Sequence, residues 1–262
     1  MLESDEEYRP VPGDWIVDRI RDLREDLRAR DRRFDDLKPW RLLNPEPVYA
    51  DVQRGDFDQA VRRICDKYGL AEERIVLHWV AKIGQDRVAA HVRCEQFGRV
   101  EITIRDLYRE DPLGFGTVIA HEIGHAYLSD MDIPNGGGWA EEATTDLVTF
   151  VKGLGKLTVN GVDHLRGSER AGSRCYGYLN REANVFAYAR TARDYHVPSR
   201  EMRASLNPAV LSYLNTLEGG QREPPGCLFG RLLSWVRRPR RAADLDLTVD
   251  DEGNIVERRP PV

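Results

Sequence analysis

Ala120-His-Glu-Ile-Gly-His-Ala126 is the stretch on which the fold turns. On a helix, His121 and His125 stand at i and i+4, so their rings leave one face with Cβ atoms about 5–6 Å apart. Two imidazoles so placed converge on one zinc ion at about 2.0–2.1 Å. Glu122 is one residue on from His121 and rotated away from the pair. It misses the ion's ligand sphere, yet it can reach a water held there and take its proton. Val118, Ile119, Ile123 and Ala126 give the same helix an apolar back.

Two ligands do not complete a catalytic zinc site; a third must come from elsewhere in the chain. Trp139-Ala-Glu-Glu-Ala-Thr-Thr-Asp146 offers one on the next expected helix. Glu142 and Asp146 are again i and i+4 and face the same way. Glu142 supplies the third, anionic ligand and leaves a fourth position for water. Asp146 accepts the free ring N–H of a histidine ligand and fixes its tautomer. Glu141, next in the chain, and Glu182, in Asn180-Arg-Glu-Ala-Asn-Val-Phe-Ala187, are the alternatives for the third ligand.

This pattern resembles the gluzincin branch of the zincin metallopeptidases, whose signature is H-E-x-x-H followed by E-x-x-x-D on a second helix. His121, Glu122, His125, Glu142 and Asp146 fill all five positions, and the resemblance covers about residues 99–150. It implies that His121, His125 and Glu142 bind Zn2+, that Glu122 is the general base, and that Asp146 orients His121. It also implies that the strand at 99–105 is the sheet edge along which an extended peptide lies. The metzincin pattern requires a third histidine soon after the motif, and His164 is too distant for it. The E-A-N-x-F-A stretch beginning at Glu182 is similar to that of the intracellular ImmA/IrrE-type metallopeptidases that cleave repressors, although there the glutamate follows the histidines more closely.

The expected function is therefore zinc-dependent hydrolysis of a peptide bond in a peptide or protein substrate. Four alternatives stay open: hydrolysis of another amide-like bond, a catalytically silent zinc-containing binding or regulatory module, an ImmA/IrrE-like regulatory protease, and a DNA-linked regulator. Tyr176, Tyr178, Tyr188, His164 and His196 are the candidates for stabilising the oxyanion.

Around the motif, the periodicity changes along the chain. Residues 1–13 read as an acidic lead, and Ile16, Ile20, Leu23, Leu27 and Phe34 recur at helical spacing between Asp14 and about Leu37. A proline-rich link at 39–47 follows, then a helix from Asp56 to Tyr68 closed by Gly69. Alternating apolar and polar positions in 74–83, 87–94 and 99–105 predict three consecutive antiparallel strands. Helices are expected from about Thr117 to Leu128 and from Trp139 to Val151, with Gly136-Gly-Gly138 as a connector bordering the cleft. Residues 170–238 read as mostly helical, and Leu247-Thr-Val and Ile255-Val-Glu as a terminal hairpin.

The expected class is α+β and zincin-like: a small antiparallel sheet beside the H-E-x-x-H helix and a glutamate-bearing helix, with extra helices at both ends. The expected organisation is 1–47 as lead and amphipathic helix, 48–220 as the metallopeptidase domain, and 221–262 as basic tail and hairpin. One flank is expected to cover the cleft and restrain activity.

Composition narrows the partners. The 262 residues include 41% hydrophobic and 32% charged, within the globular range, and a net charge of −5 argues against coating nucleic acid. Only the Arg-rich stretch Arg231–Arg241 speaks for an anionic partner. No apolar run is long enough to span a bilayer. The acidic start lacks the basic and apolar regions of a secretory signal, so a cytoplasmic location is expected. Four scattered cysteines make neither a disulfide scaffold nor a zinc knuckle. A regulatory protein partner is left open.

Overall fold

The computed structural model describes residues 11–34, 42–83, 89–95, 98–134, 137–167, 179–219, 247–249 and 255–257. The chain falls into two units, Met1–Gly219 and Gly220–Val262. In the second, strands Leu247–Val249 and Ile255–Glu257 pair antiparallel as expected; Arg231–Arg241 lies outside the described residues.

The first unit is mixed α and β, built around one helix. In chain order come α1 (Gly13–Arg30), α2 (Glu46–Gln53), α3 (Phe57–Tyr68), β1 (Ile75–Val80), β2 (Ala90–Cys94) and β3 (Val100–Arg105). Then follow α4 (Pro112–Asp130), α5 (Gly138–Val151), α6 (Gly155–Gly167), α7 (Arg181–Asp194), α8 (Ser199–Arg203) and α9 (Pro208–Gly219). The central helix is α4. It packs against α2, α3, α5, α6 and β2, and nearly all of its side chains are buried.

That helix starts at Pro112, ahead of the Thr117 expected from sequence. Asp111 caps it by accepting the Gly114 amide (3.0 Å), and Pro112 occupies the first turn, where its missing N–H costs nothing. Two glycines then let the neighbouring helices close on it. A Cβ on Gly124 would meet Thr145 Cγ2 and Tyr68 Oη at 3.1 Å and Val148 Cγ1 at 3.3 Å, so any larger residue would press on α5 and on Tyr68. A Cβ on Gly161 of α6 would collide with the Thr117 hydroxyl of α4. Helix α6 was not anticipated from sequence, because Gly155, Gly161 and Gly167 interrupt its pattern. Gly161 is what permits its packing. Helix α2 likewise begins inside the expected proline link, with Pro47 in its first turn.

The three-stranded sheet has the order β1-β3-β2 and is mixed rather than antiparallel throughout. β2 and β3 form an antiparallel pair, but β1 runs parallel to β3, with Ile75 opposite Val100 and Leu77 opposite Ile102. β3 is therefore the central strand and not the sheet edge expected for 99–105. Both sides of its backbone are hydrogen-bonded, which leaves nothing for a further strand. Side-chain chemistry agrees: Val100, Ile102 and Ile104 are fully buried, each contributing about 1.5–3 kcal/mol of apolar burial, whereas β2 exposes His91 and Arg93. The edges are β1 and β2, and β2 is the one lying against α4.

Helix α1 ends at Arg30, short of Leu37, and its apolar stripe of Ile16, Ile20, Leu23 and Leu27 is buried against α5 and α7. Trp15 packs on Trp139 at 5.1 Å between centroids. Arg19 bonds the Thr144 hydroxyl (3.0 Å) and the Pro134 carbonyl (2.6 Å), tying the middle of α5 and the chain that precedes it to α1. At the other end, Asp31, Tyr127 and Lys152 join α1, α4 and α5 in one buried polar cluster. Among the described residues, no helix is long and apolar enough to cross a membrane.

Candidate metal centre

One turn of α4 and one of α5 carry the site. His121 and His125 leave the face of α4 that Gly124 brings against α5, and Glu142 rises from the first turns of α5 to meet them. The three ligand atoms form a small triangle. His121 Nε2 is 3.0 Å from Glu142 Oε2, His125 Nε2 is 3.3 Å from the same oxygen, and the two Nε2 atoms are 3.2 Å apart. Two ligands about 2.0–2.1 Å from one ion at the tetrahedral angle stand about 3.3–3.4 Å apart. The observed edges fall at or just inside that length. The imidazoles meet edge to face, at 82° between planes, so their Nε2 lone pairs converge without the rings stacking.

The donor set fits a cation on chemical grounds as well. His121 has a carboxylate at each ring nitrogen: Asp146 Oδ1 at 2.8 Å from Nδ1, and Glu142 at Nε2. Burial alone would lower its pKa, but hydrogen bonds to Asp146 and Glu142 hold it well above the usual histidine range. Burial would raise Glu142, but His121 and His125 hold its carboxyl down at about 2. These groups collect negative charge against two imidazole nitrogens in a mostly buried corner, where a bound cation is favoured.

Glu122 sits on the same helix turn, only 6% exposed, and makes no hydrogen bond or ion pair within the protein among the described residues. Burial pushes its carboxyl up, as does the Glu142 charge, while His121, His125 and His91 pull the other way. A buried carboxylate with no internal donor and a raised pKa is suited to accept a proton.

The outer contacts are specific. Asp146 is 3% exposed and uses both oxygens, one on His121 and the other accepting the backbone amide of Leu179 (3.2 Å) just before α7. On the other ring, Thr145 Oγ1 stands 3.2 Å from His125 Nδ1. Tyr68 donates to the Ala120 carbonyl (2.8 Å), holding the turn that carries His121. Neither Thr145 nor Tyr68 is marked in the sequence, because a hydroxyl at these positions has no spacing that ties it to the histidines.

Of the alternatives for the third ligand, Glu141 comes no nearer than 3.9 Å to His125 Nδ1. Glu182, in the first turn of α7, does not join the histidines. Three oxyanion candidates are placed in other roles. His164 pairs with Asp111 (3.0 Å), ten residues and therefore about 15 Å along α4 from His121. Tyr188 is buried and donates to the Met202 carbonyl (2.5 Å), and His196 is exposed in the turn after α7. Tyr176 and Tyr178 lie outside the described residues, as does Gly136 of the connector.

Compared with known proteins, the chain matches no family model, no curated protein and no solved structure. Its chemistry is therefore read from its own geometry: a group of two imidazoles and one carboxylate with the spacing to hold a metal ion, beside a buried glutamate that has no hydrogen-bond partner among the described residues.

Proposed function

We propose that this chain is a zinc-dependent metallopeptidase of gluzincin type. The single observation carrying the proposal is the His121–His125–Glu142 triangle with Glu122 beside it on the same helix. Two imidazoles and one carboxylate are a donor set suited to zinc that leaves a position open, as catalytic sites require. A divalent ion held there supplies a lowered water pKa and a polarised scissile carbonyl.

The chain's own residues do the rest. Glu122 takes a proton from the attacking water and passes it to the leaving nitrogen, and its raised pKa suits both halves of that exchange. Asp146 holds the His121 ring with its Nδ1 proton inward. An extended peptide adds as a strand to β2, the edge that packs on α4, rather than to β3.

Metal analysis of the wild type and of His125→Ala, Glu142→Ala and Glu182→Ala tests the ligand set. The wild type and Glu182→Ala should retain zinc, and the other two should lose it. Glu122→Gln should keep the metal and abolish cleavage across a peptide library. A wild type without metal, or an active Glu122→Gln, refutes the proposal.

A further inference from the structure

We propose that Thr145 is a positioning residue for His125, presenting its Nε2 to the metal ion; the inference rests on the reading of the triangle as a metal centre. Thr145 is completely buried on α5, one helical turn after Glu141. Its hydroxyl has one proton and two acceptor sites. The Glu141 backbone carbonyl, 3.0 Å away, can only accept, so it takes that proton. The oxygen is then an acceptor for His125 Nδ1, 3.2 Å away.

An imidazole that turns Nε2 to a cation carries its remaining proton on Nδ1, and Thr145 is the group placed to receive it. The Glu141 carboxylate, at 3.9 Å, is beyond hydrogen-bond reach of that nitrogen. The chain of bonds runs from imidazole to hydroxyl to backbone carbonyl, and its direction is fixed by the end that cannot donate.

The two histidines are thus held differently. His121 leans on an anion at 2.8 Å, and His125 leans on a neutral hydroxyl at 3.2 Å. A neutral acceptor enriches the imidazole less, so His125 is the weaker donor of the pair and depends on this bond for its ring orientation.

The test is zinc affinity of the full chain, measured by competition with a chelator. Thr145→Val keeps the branched shape and removes the acceptor, and it should weaken zinc binding about 10–100-fold. Thr145→Ser restores the hydroxyl and should bind close to the wild type. Should the valine variant fail to fold, Thr145→Ala against Thr145→Ser gives the same contrast. Equal affinity in wild type and Thr145→Val overturns the proposal, and so does a serine variant as weak as the valine one. A wild type that takes up no zinc overturns the metal reading along with it, which separates the two failures.

Discussion

Replacing Asp31 by Asn should be among the costliest single changes in the molecule, and the structure says how costly. Lys152 is only 3% exposed and reaches Asp31 Oδ2 at 3.3 Å and the Tyr127 hydroxyl at 3.1 Å; Tyr127 in turn donates to Asp31 at 2.6 Å. Burial depresses the Lys152 pKa, and Asp31 opposes that depression. Asp31→Asn keeps the shape but leaves the ammonium without its counter-charge, a loss of about 3–5 kcal/mol. An upper bound comes from deprotonation. Moving a lysine from about 10.4 to neutral at pH 7 takes about 3.4 units of about 1.36 kcal/mol, or about 4.6 kcal/mol. The midpoint of thermal unfolding should fall by about 2–4 °C per kcal/mol for a unit of this size.

The sign with pH follows from proton counting. In Asp31→Asn the folded lysine has the lower pKa, so between the folded and unfolded values the unfolded chain binds more protons and stability rises with pH. Urea unfolding at pH 7 and pH 9.5 should show the deficit shrinking at the higher pH. Asp31→Asn/Lys152→Met, which removes both charges, should recover most of it. A loss below about 1 kcal/mol, the range of an exposed pair, or strict additivity in the double variant, refutes the reasoning.

Other perturbations test other parts. Burial pushes the Asp31 carboxyl up, but Tyr127, Lys152 and the Arg33 amide outweigh it, so in the wild type it titrates below the ordinary range. Its contribution should be complete above about pH 3.8 and vanish as the pH drops through the depressed folded value, seen in acid titration of the unfolding midpoint. Gly124→Ala should destabilise by about 1–3 kcal/mol and weaken zinc binding, whereas a net gain of the helix-propensity kind would contradict the close crossing. Asp146→Asn can still accept the Leu179 amide but loses the charge beside His121, and its zinc affinity should fall about 10–100-fold. Amide exchange should be slowest in β3 and faster in β1 and β2; equal protection of β1 and β3 would argue against the strand order.

Local periodicity was legible in the sequence, and relations between strands were not. His121 with His125 and Glu142 with Asp146 are i and i+4 pairs, and a helix alone fixes which side chains share a face. The same holds for Ile16, Ile20, Leu23 and Leu27 of α1, all buried as their spacing implied. Alternation in 74–83, 87–94 and 99–105 located three strands but carried no information on order, since each pleat alternates whatever lies beside it. The turn-like residues between the first two strands favoured a hairpin, and the inserted position of β3 defeated it. Glycine hid two helical stretches: Gly114 and Gly116 lie within α4, ahead of the start expected near Thr117, and Gly161, in a stretch given no assignment from sequence, is the crossing point of α6. Thr145 escaped notice because a hydroxyl on a buried helix has no distinctive spacing.

One carboxylate answers to two masters. The oxygen of Asp146 that steadies His121 belongs to the same carboxylate whose other oxygen accepts the Leu179 amide, so the candidate metal centre and the chain entering α7 are joined through one side chain. The setting of a candidate metal ligand on α4 is thereby shared with the seating of the chain where it enters α7.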